Sequence, residues 1–517
     1  MNPTHQLQAR LDALGGRVLS TLRRGIEKES LRVRPDGMLA TTPHARALGS
    51  ALTHPHITTD FSESQLELIT GVHDSVASCL GELELIHQVV YRQIGDEVMW
   101  CGSMPCYLPS EDAIPIAQFG NSNLGRAKTV YRIGLSHRYG RRMQLISGLH
   151  YNFSLAEESW PMAGFGEANE AYFSLIRNFR RHGWLLLYLF GASPAVCSSF
   201  VEGREHTLQE LAAGTLYLPH ATSLRMGRLG YLSATQDALA VSYNDLASYA
   251  ASLEDALVTP YPAYETIGIR EGDEYRQLAT TLLQIENEFY STIRPKRVGR
   301  SGERPLRSLR TYGVQYIEVR AMDLDPFSAI GITARTARFL DIFLLHCLLC
   351  ESPPDSPQEI AAIGRNKQRV AASGRAPGLT LERDEAQVEL REWARQLLAE
   401  CAPVATALDR AQGGTGYREA LAGVMATAAD PDTLPSARML REIQEQHRGS
   451  YFNYILDQSR RHRSTLLAVP LSPGLESRFR DLARDSLAEQ QTIEGRNELS
   501  FETYRQQYLA PESLRVE

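Results

Sequence analysis

One predicted strand carries an acid and a base on the same face. The segment Val314–Phe327 alternates in the manner of a β-strand, so Ile317 and Val319 point to one side while Glu318 and Arg320 point to the other. Such a pair is typical either of an exposed ion pair, which contributes little, or of a site that binds a cation and an anion together. Metal-bound polyphosphate is a ligand of the second kind.

Three other strand-like segments, residues 24–33, 57–70 and 145–155, also place possible metal ligands on their polar faces. These ligands are Glu27 and Glu29, then Asp60, Glu63 and Glu67, and finally His150. Carboxylates that pack together raise one another's pKa unless cations neutralise them. Oxygen ligands with a single imidazole suit Mg²⁺ or Mn²⁺ better than Zn²⁺. The sequence therefore predicts a divalent-cation site; the alternative is that each acid is simply solvated.

Basic residues near the same strand could bind phosphate. Arg320, Lys296 and Arg297 offer a planar guanidinium or a point charge, although the basic turn predicted at 294–297 could equally be exposed to solvent. Gly413–Gly416 lacks the Gly-Lys-Ser/Thr ending of a phosphate-binding loop, and no dinucleotide-binding glycine motif follows a strand. A bound nucleotide would thus be held through metals on a sheet.

The predicted strands precede residue 330, and helices dominate after it. Helices are predicted at about 75–96, 126–142, 165–190 and 235–255. Hairpins and long excursions link the strands without regular alternation of strand and helix. This order favours an α+β fold around an antiparallel sheet, with the sheet and its helical excursions in a core at 1–335 and a mainly helical part at 336–517.

Composition excludes several classes of protein. A formal net charge of −7 over 517 residues argues against a general surface for nucleic acid or for anionic membranes. Seven cysteines without a regular spacing favour a reducing compartment. We find no secretory leader, and the apolar stretch Trp184–Phe200 is interrupted by Gly191 and Pro194 before it could span a bilayer. These features predict a soluble, cytoplasmic protein.

Eight motifs in the chain occur together in one known family. They are Arg24-Gly-Ile-Glu-Lys-Glu-Ser-Leu-Arg32, Thr58-Thr-Asp-Phe-Ser-Glu63, Ser103-Met-Pro-Cys-Tyr107, Ser147-Gly-Leu-His-Tyr-Asn-Phe-Ser154, Phe190-Gly-Ala-Ser-Pro-Ala195, Gln284-Ile-Glu-Asn-Glu288, Ile293-Arg-Pro-Lys-Arg297 and Tyr316-Ile-Glu-Val-Arg320. In this order they resemble the glutamate–cysteine ligases (gamma-glutamylcysteine synthetases) of the proteobacterial type. The resemblance covers about residues 20–380 and weakens in the helical tail.

The resemblance implies a fold and a reaction. The fold would be a curved antiparallel sheet like that of glutamine synthetase, forming a funnel with metals and ATP at one end and amino acids at the other. The reaction would join the γ-carboxylate of glutamate to the amine of cysteine, through γ-glutamyl phosphate, as the first step of glutathione synthesis. Two or three Mg²⁺ or Mn²⁺ ions would take part. A monomer and feedback inhibition by glutathione are further expectations.

The resemblance also implies roles for individual residues. The metal ligands would be Glu27, Glu29, Asp60, Glu67, His150 and Glu318. Arg320 would stabilise the transferring phosphoryl group, with Glu318 also catalytic, and Lys296 and Arg297 would contact ATP. The cysteine pocket would be formed by Tyr131, Leu135, Gln144, Tyr231 and Tyr290, and Arg225 would anchor a substrate carboxylate. Glu63 is expected to face solvent, and Cys106 is expected to be a free thiol.

Two alternatives remain open at this point. The chain could be a related carboxylate–amine ligase that uses another amine acceptor, because the pocket for a small thiol is only lightly specified. It could also be a catalytically silent sensor of metal or nucleotide. That second interpretation requires a missing ligand or a missing Arg320, and the sequence retains all of them.

Overall fold

The predicted strands form one sheet in the computed structural model, which describes residues 3–105, 107–162, 167–230, 239, 241–300 and 302–516. The strands are β1 Leu22–Val33, β2 Ile57–Thr59, β3 Gln65–Ile69, β4 Val98–Met99, β5 Leu149–Leu155, β6 Ala195–Cys197, β7 Gln209–Ala212, β8 Thr215–Tyr217, β9 Arg270–Glu271, β10 Glu274–Tyr275, β11 Ile293–Lys296, β12 Tyr316–Met322, β13 Thr380–Arg383 and β14 Ala386–Glu389. Among these residues a seven-stranded sheet runs in the order β11-β12-β5-β1-β3-β2, with β4 paired to β1. All its pairings are antiparallel.

Strand register places the acids on one face. Glu27 lies opposite His150, and Glu29 lies opposite Glu67, so these side chains project from the same side. The other face is apolar and buried, with Tyr151 and Val319 at 0% exposure. The alternation predicted for these strands is therefore confirmed, and so is the α+β fold around an antiparallel sheet.

Helices surround the sheet. They are α1 Pro3–Leu19, α2 Val76–Gln93, α3 Asn123–Tyr139, α4 Arg141–Gln144, α5 Ala168–His182, α6 Trp184–Phe190, α7 Leu246–Val258, α8 Pro262–Ile267, α9 Pro305–Tyr312, α10 Ala334–Leu349, α11 Pro357–Ser373, α12 Leu390–Glu400, α13 Ala402–Gln412, α14 Gly416–Ala429, α15 Pro435–Gln446, α16 Tyr451–Ala468, α17 Pro473–Gly495 and α18 Phe501–Leu509. Short 3-10 helices lie at Arg46–Leu48, Glu111–Ala113, Glu157–Met162, Ser198–Phe200, Glu286–Glu288, Pro431–Thr433 and Pro511–Leu514.

A buried ion pair joins the apolar face of the sheet to the helices below it. Arg24 of β1 lies 3.0 Å from Asp341 of α10, and both side chains are 0% exposed. Tyr151 of β5 and Tyr417 of α14 each donate a hydrogen bond to the same carboxylate, at 2.8 and 3.0 Å. The two tyrosines satisfy the buried carboxylate of Asp341 and so help to fix α10 and α14 under the sheet.

The last helices return to the polar side of the sheet. Gln490 of α17 accepts a hydrogen bond from Ser50 at 2.5 Å, and the carbonyl of Tyr508 in α18 accepts one from Arg304 at 2.9 Å. The helical C-terminal part thus contacts loops that lead into the sheet. Its division from the core at residues 335 and 336 falls inside α10 and stays a prediction.

Two local predictions were wrong. Residues 294–297 do not form a basic turn, because 293–296 pair with β12 as strand β11. Pro295 is compatible with a strand here since β11 lies at the edge of the sheet. The helix predicted at 126–142 is split into α3 and α4 by Gly140, whose φ of 81° is a conformation that glycine tolerates best. The helix predicted at 235–255 begins only at Leu246, as α7; residues 241–245 before it are not helical, and 235–238 and 240 lie outside the described residues.

None of the helices that the structure describes is both long enough and apolar enough to cross a membrane.

Candidate active site

A cavity of about 570 Å³ lies over the polar face of the sheet. Strands β1, β3, β5 and β12 supply its floor, while α3 and the 3-10 helix Glu286–Glu288 supply walls. The six residues that the family resemblance gave as metal ligands all line it: Glu27, Glu29, Asp60, Glu67, His150 and Glu318. The sheet register explains most of this convergence, because five of the six residues come from strands that are direct neighbours, while Asp60 immediately follows β2.

His150 lies among three carboxylates. Its Nδ1 is 3.4 Å from Glu27 Oε2 and 3.6 Å from Glu318 Oε1, and its Nε2 is 3.5 Å from Glu29 Oε1. One ligand atom from each of Glu27, His150 and Glu318 can be chosen so that all three lie within 4.8 Å of one another. These spacings allow a single ion to be bound by ligands from three strands.

Glu318 is surrounded by positive charge. Its side chain is 1% exposed, with Arg320 Nη1 at 3.2 Å and Lys296 Nζ at 3.6 Å. Burial by itself would raise the pKa of Glu318, but Lys296, Arg320 and His150 outweigh that effect and hold the pKa well below its usual range. Glu318 is therefore ionised at neutral pH, as a metal ligand must be.

Other acids of the cluster behave in the opposite way. Burial, reinforced by Glu27, Asp60 and Glu29, raises the pKa of Glu67 well above its usual range. Burial also raises the pKa of Glu29. Like charges held together in a half-enclosed site cause such shifts, and a bound cation relieves them.

The donor set fits a hard divalent cation. Oxygen atoms dominate it and one imidazole completes it, as Mg²⁺ and Mn²⁺ prefer. Glu318 Oε2 is buried and accepts no hydrogen bond within the described residues, since Arg320 approaches it without hydrogen-bond alignment. A buried carboxylate oxygen in this condition has the capacity to coordinate an ion.

Four of the six predicted substrate residues gather on another wall of the same cavity. Tyr131 and Leu135 occupy one face of α3, and Gln144 and Tyr290 line the cavity beside them. Tyr290 donates a hydrogen bond to Gln144 Oε1 at 2.9 Å. Gln144 Nε2 is buried without a hydrogen-bond partner in the described part of the chain. Tyr231, also predicted here, lies outside the described residues, as does Cys106.

Arg225 is not brought to the cavity wall. It is 2% exposed, and its Nη2 donates a hydrogen bond to the carbonyl of Arg320 at 2.9 Å. Its Nη1 lies 3.7 Å from Asp323 Oδ1. In this position Arg225 supports the backbone that carries Arg320, and its role as a carboxylate anchor stays a prediction.

Glu63 corrects an expectation. Instead of facing solvent it is 7% exposed. Its two carboxylate oxygens accept hydrogen bonds from the backbone N–H groups of His44 and Gln118, at 2.5 and 2.6 Å. Glu63 therefore joins two loops beside the cavity, and sequence periodicity could not show this because both partners are in irregular segments.

A second cavity of about 740 Å³ adjoins the first. Glu27 and Ile69 line both cavities, so the cavities meet at the Glu27 side of the acid cluster. Arg297 and Tyr316 line the second cavity, together with three exposed apolar side chains: Val72, Val298 and Tyr312. Lys296 lines only the first of the two, so the predicted ATP contacts Lys296 and Arg297 stand on the two sides of the junction.

Several residues of the site were not predicted. Lys128 and Arg132 line the first cavity, as do Glu286 and Tyr508. Lys128 lies three residues before Tyr131, and Arg132 lies three residues before Leu135; this helical spacing is a signal that could have identified them. Tyr508 comes from a distant helix and had no comparable signal.

Comparisons with known proteins give a consistent result. A model of the family described as glutamate-cysteine ligase matches residues 9–370. A protein named glutamate–cysteine ligase from Azotobacter vinelandii is 51% identical over 499 residues, covering 94% of each chain. Another of that name from Alcanivorax borkumensis is 46% identical over 517 residues, covering 97% of this chain and 98% of its own. A crystal structure of glutamate–cysteine ligase from Francisella tularensis in complex with AMP is 36% identical, with a TM-score of 0.90, covering 95% of this chain and 97% of its own.

Proposed function

The chain belongs to the glutamate–cysteine ligase family, and from this premise we propose that it joins the γ-carboxylate of L-glutamate to the amine of L-cysteine at the expense of ATP. The products are γ-glutamylcysteine, ADP and phosphate, and the reaction is the first step of glutathione synthesis. One observation carries the proposal: two cavities meet at a cluster of carboxylates that also holds Arg320. A phosphoryl group must cross such a junction to pass from a nucleotide to an amino acid.

The reaction has two steps. A γ-carboxylate oxygen of glutamate attacks the terminal phosphorus of ATP, and ADP leaves with the electron pair of the broken P–O bond. The neutral amine of cysteine then attacks the carbonyl carbon of γ-glutamyl phosphate. The tetrahedral intermediate expels phosphate, and the proton that the amine loses leaves with it. Activation by phosphorylation is needed because a free carboxylate is a poor acyl donor.

Arg320 acts on the phosphoryl group in this scheme. Its guanidinium lies in the first cavity, with Nη1 3.2 Å from Glu318, and it is only partly exposed. A planar guanidinium can donate two hydrogen bonds to phosphoryl oxygens as their charge redistributes. Arg225 holds the Arg320 carbonyl and so limits the movement of the backbone at this position.

Divalent cations would be held by Glu27, Glu29, Asp60, Glu67, His150 and Glu318. Bound Mg²⁺ or Mn²⁺ neutralises phosphate charge and polarises the phosphoryl group. The raised pKa of Glu67 and of Glu29 means that both acids must lose protons to coordinate an ion. Cation binding at this cluster should therefore weaken as the pH falls.

The second cavity is assigned to the nucleotide. It is the larger of the two and has apolar side chains at its edge, which suit a purine, while Arg297 on its wall suits phosphate. The first cavity then receives the two amino acids, with Tyr131, Leu135, Gln144 and Tyr290 around cysteine. The AMP complex of the Francisella relative supports a nucleotide site in this fold.

A direct assay tests the function. With ATP, Mg²⁺, glutamate and cysteine, the purified protein should release ADP and phosphate and form γ-glutamylcysteine in equal amounts. Ammonia and simple amines should be much poorer acceptors, since they are too small to contact Tyr131 and Leu135 on the cavity wall. If phosphate release were faster with another amine than with cysteine, cysteine would not be the acceptor, and the protein would be a related carboxylate–amine ligase.

A substitution at the second cavity tests the nucleotide assignment. Tyr312→Ala should raise the KM for ATP about 3- to 10-fold, because base stacking on an aromatic ring contributes about 1 kcal/mol, while the KM for cysteine stays unchanged. Tyr107→Ala is the matched control, since Tyr107 is also an exposed tyrosine but lines neither cavity. An unchanged KM for ATP in the Tyr312 variant would mean that the nucleotide base does not bind in the second cavity.

Three properties of the whole protein complete the proposal. We infer a cytoplasmic location because the described cysteines are free thiols, as a reducing compartment maintains them. We infer a monomer from the family resemblance. Feedback inhibition by glutathione is reasonable because that tripeptide contains the γ-glutamylcysteine unit that the site must accommodate.

A further inference from the structure

Lys128 is an unusual cation in the wall of the first cavity. Five basic side chains line this cavity among the described residues: Lys128, Arg132, Arg294, Lys296 and Arg320. Four of them contact acidic or carbonyl oxygens. Lys296 and Arg320 lie beside Glu318. Arg132 lies 3.7 Å from Asp60 and donates a hydrogen bond to its carbonyl, and Arg294 donates to the carbonyl of Asn287 at 3.0 Å.

The Lys128 ammonium has no such partner. Within the described part of the chain its Nζ makes no hydrogen bond and no ion pair, and its contact is with the ring of Phe119, whose centroid lies 5.2 Å away. The same ring also packs against Arg132, at 4.4 Å. A partly buried ammonium without an acceptor is costly unless a ligand supplies one.

Lys128 is charged in the free protein. Burial, reinforced by Arg132, lowers the pKa of Lys128 to about 8, so the ammonium form still predominates at pH 7. The neighbouring acids across the cavity, Glu67 among them, belong to the cluster assigned to cations. An anion for Lys128 must therefore come from a substrate.

The position of Lys128 indicates which substrate supplies the anion. On α3 it precedes Tyr131 by three residues and Leu135 by seven, so the three side chains lie on one face of the helix and line the same cavity. This face is the wall assigned above to the acceptor. The phosphates of ATP are assigned instead to the side of Arg320, Lys296 and the second cavity.

From this geometry, and on the basis of the proposed function, we propose that Lys128 Nζ binds the α-carboxylate of the acceptor amino acid. The contact would orient cysteine with its amine toward the acyl phosphate and its side chain toward Tyr131 and Leu135. It would also discriminate against amines that lack a carboxylate, because they would leave the ammonium unpaired in the occupied cavity.

The test compares two acceptors that differ only in the carboxylate. Cysteamine has the amine and the thiol of cysteine without its carboxylate, and it is measured both as an acceptor and as an inhibitor of cysteine-dependent turnover. Lys128→Met should lower kcat/KM for cysteine about 10- to 100-fold, as expected for loss of a charged hydrogen bond. Turnover or inhibition with cysteamine should change less than about 3-fold, and the KM for glutamate should stay the same.

Controls separate this role from others. Lys128→Arg keeps the charge and should retain most of the preference for cysteine over cysteamine. Lys128→Gln removes the charge but keeps a polar, shorter side chain, and provides the same comparison if the methionine variant does not fold. Equal losses with both acceptors, no loss with either, or a change confined to the KM for glutamate would overturn the proposal. If the wild-type protein formed no γ-glutamylcysteine in the complete assay, the proposed function itself would be refuted.

Discussion

Replacing Glu318 with Gln is expected to lower kcat by about 10²- to 10³-fold, the range found when one electrostatic contact to a transition state is removed. Glu318 offers a buried oxygen without a hydrogen bond to the cation cluster, and the charges of Lys296 and Arg320 keep it ionised. The amide keeps the size of the side chain but has one weak acceptor and no charge. The fold should persist, because the neighbouring strands are held by their backbone pairing.

Two measurements check this expectation. The first is kcat from ADP release. The second is the melting temperature with and without Mg²⁺, which should rise in the wild type when the ion binds the folded state and should rise much less in the variant. Glu382→Gln is the control, since Glu382 forms an ion pair with Arg365 at the surface. Full turnover in the Glu318 variant would show that Glu318 is not a ligand of a catalytic cation.

Arg320→Lys should produce the second large loss, again about 10²- to 10³-fold in kcat. Lysine preserves the charge but replaces the planar fork with a single ammonium, which cannot bridge two phosphoryl oxygens. The KM values for glutamate and cysteine should change little, since these substrates are held by other walls of the cavity. A loss expressed mainly in KM would mean that Arg320 holds a ground-state substrate.

The matched control for this variant is Arg365→Lys. Arg365 is the surface partner of Glu382, which provides the control for the Glu318 variant. The Arg365→Lys substitution makes the same chemical change at a site outside both cavities. Its kcat should equal that of the wild type. Rapid-quench measurement of γ-glutamyl phosphate would show whether the first step is the one slowed in Arg320→Lys.

Local patterns in the sequence were sufficient to predict the strands and their faces. A strand repeats every two residues, so the acidic face of β1 and the mixed face of β12 can be read without knowing their neighbours. The convergence of these faces could not be derived in the same way. The pairing of Glu27 with His150 joins residues 123 apart along the chain, and only the family resemblance indicated that β5 and β1 are neighbours.

Long-range contacts also account for the residues that were missed or misplaced. Glu63 bonds to two irregular loops, and Tyr508 reaches the cavity from α18, so neither has a local signature. Pro295 suggested a turn, because proline usually ends strands. Proline lacks the backbone N–H that a central strand needs, but an edge strand tolerates this loss. Lys128 was overlooked for another reason, since an isolated lysine on a helix is usually solvated.

The two faces of β1 cannot change independently in evolution. Glu27 and Glu29 contribute to the cation cluster, while Arg24 on the reverse face is paired with Asp341 and Lys28 donates a hydrogen bond to Ser30. A one-residue insertion or deletion in this strand would exchange the faces, turning Lys28 toward the ions and burying a glutamate against helices. Length variation among descendants of this chain should consequently be confined to the loops, and β1 should vary by substitution alone.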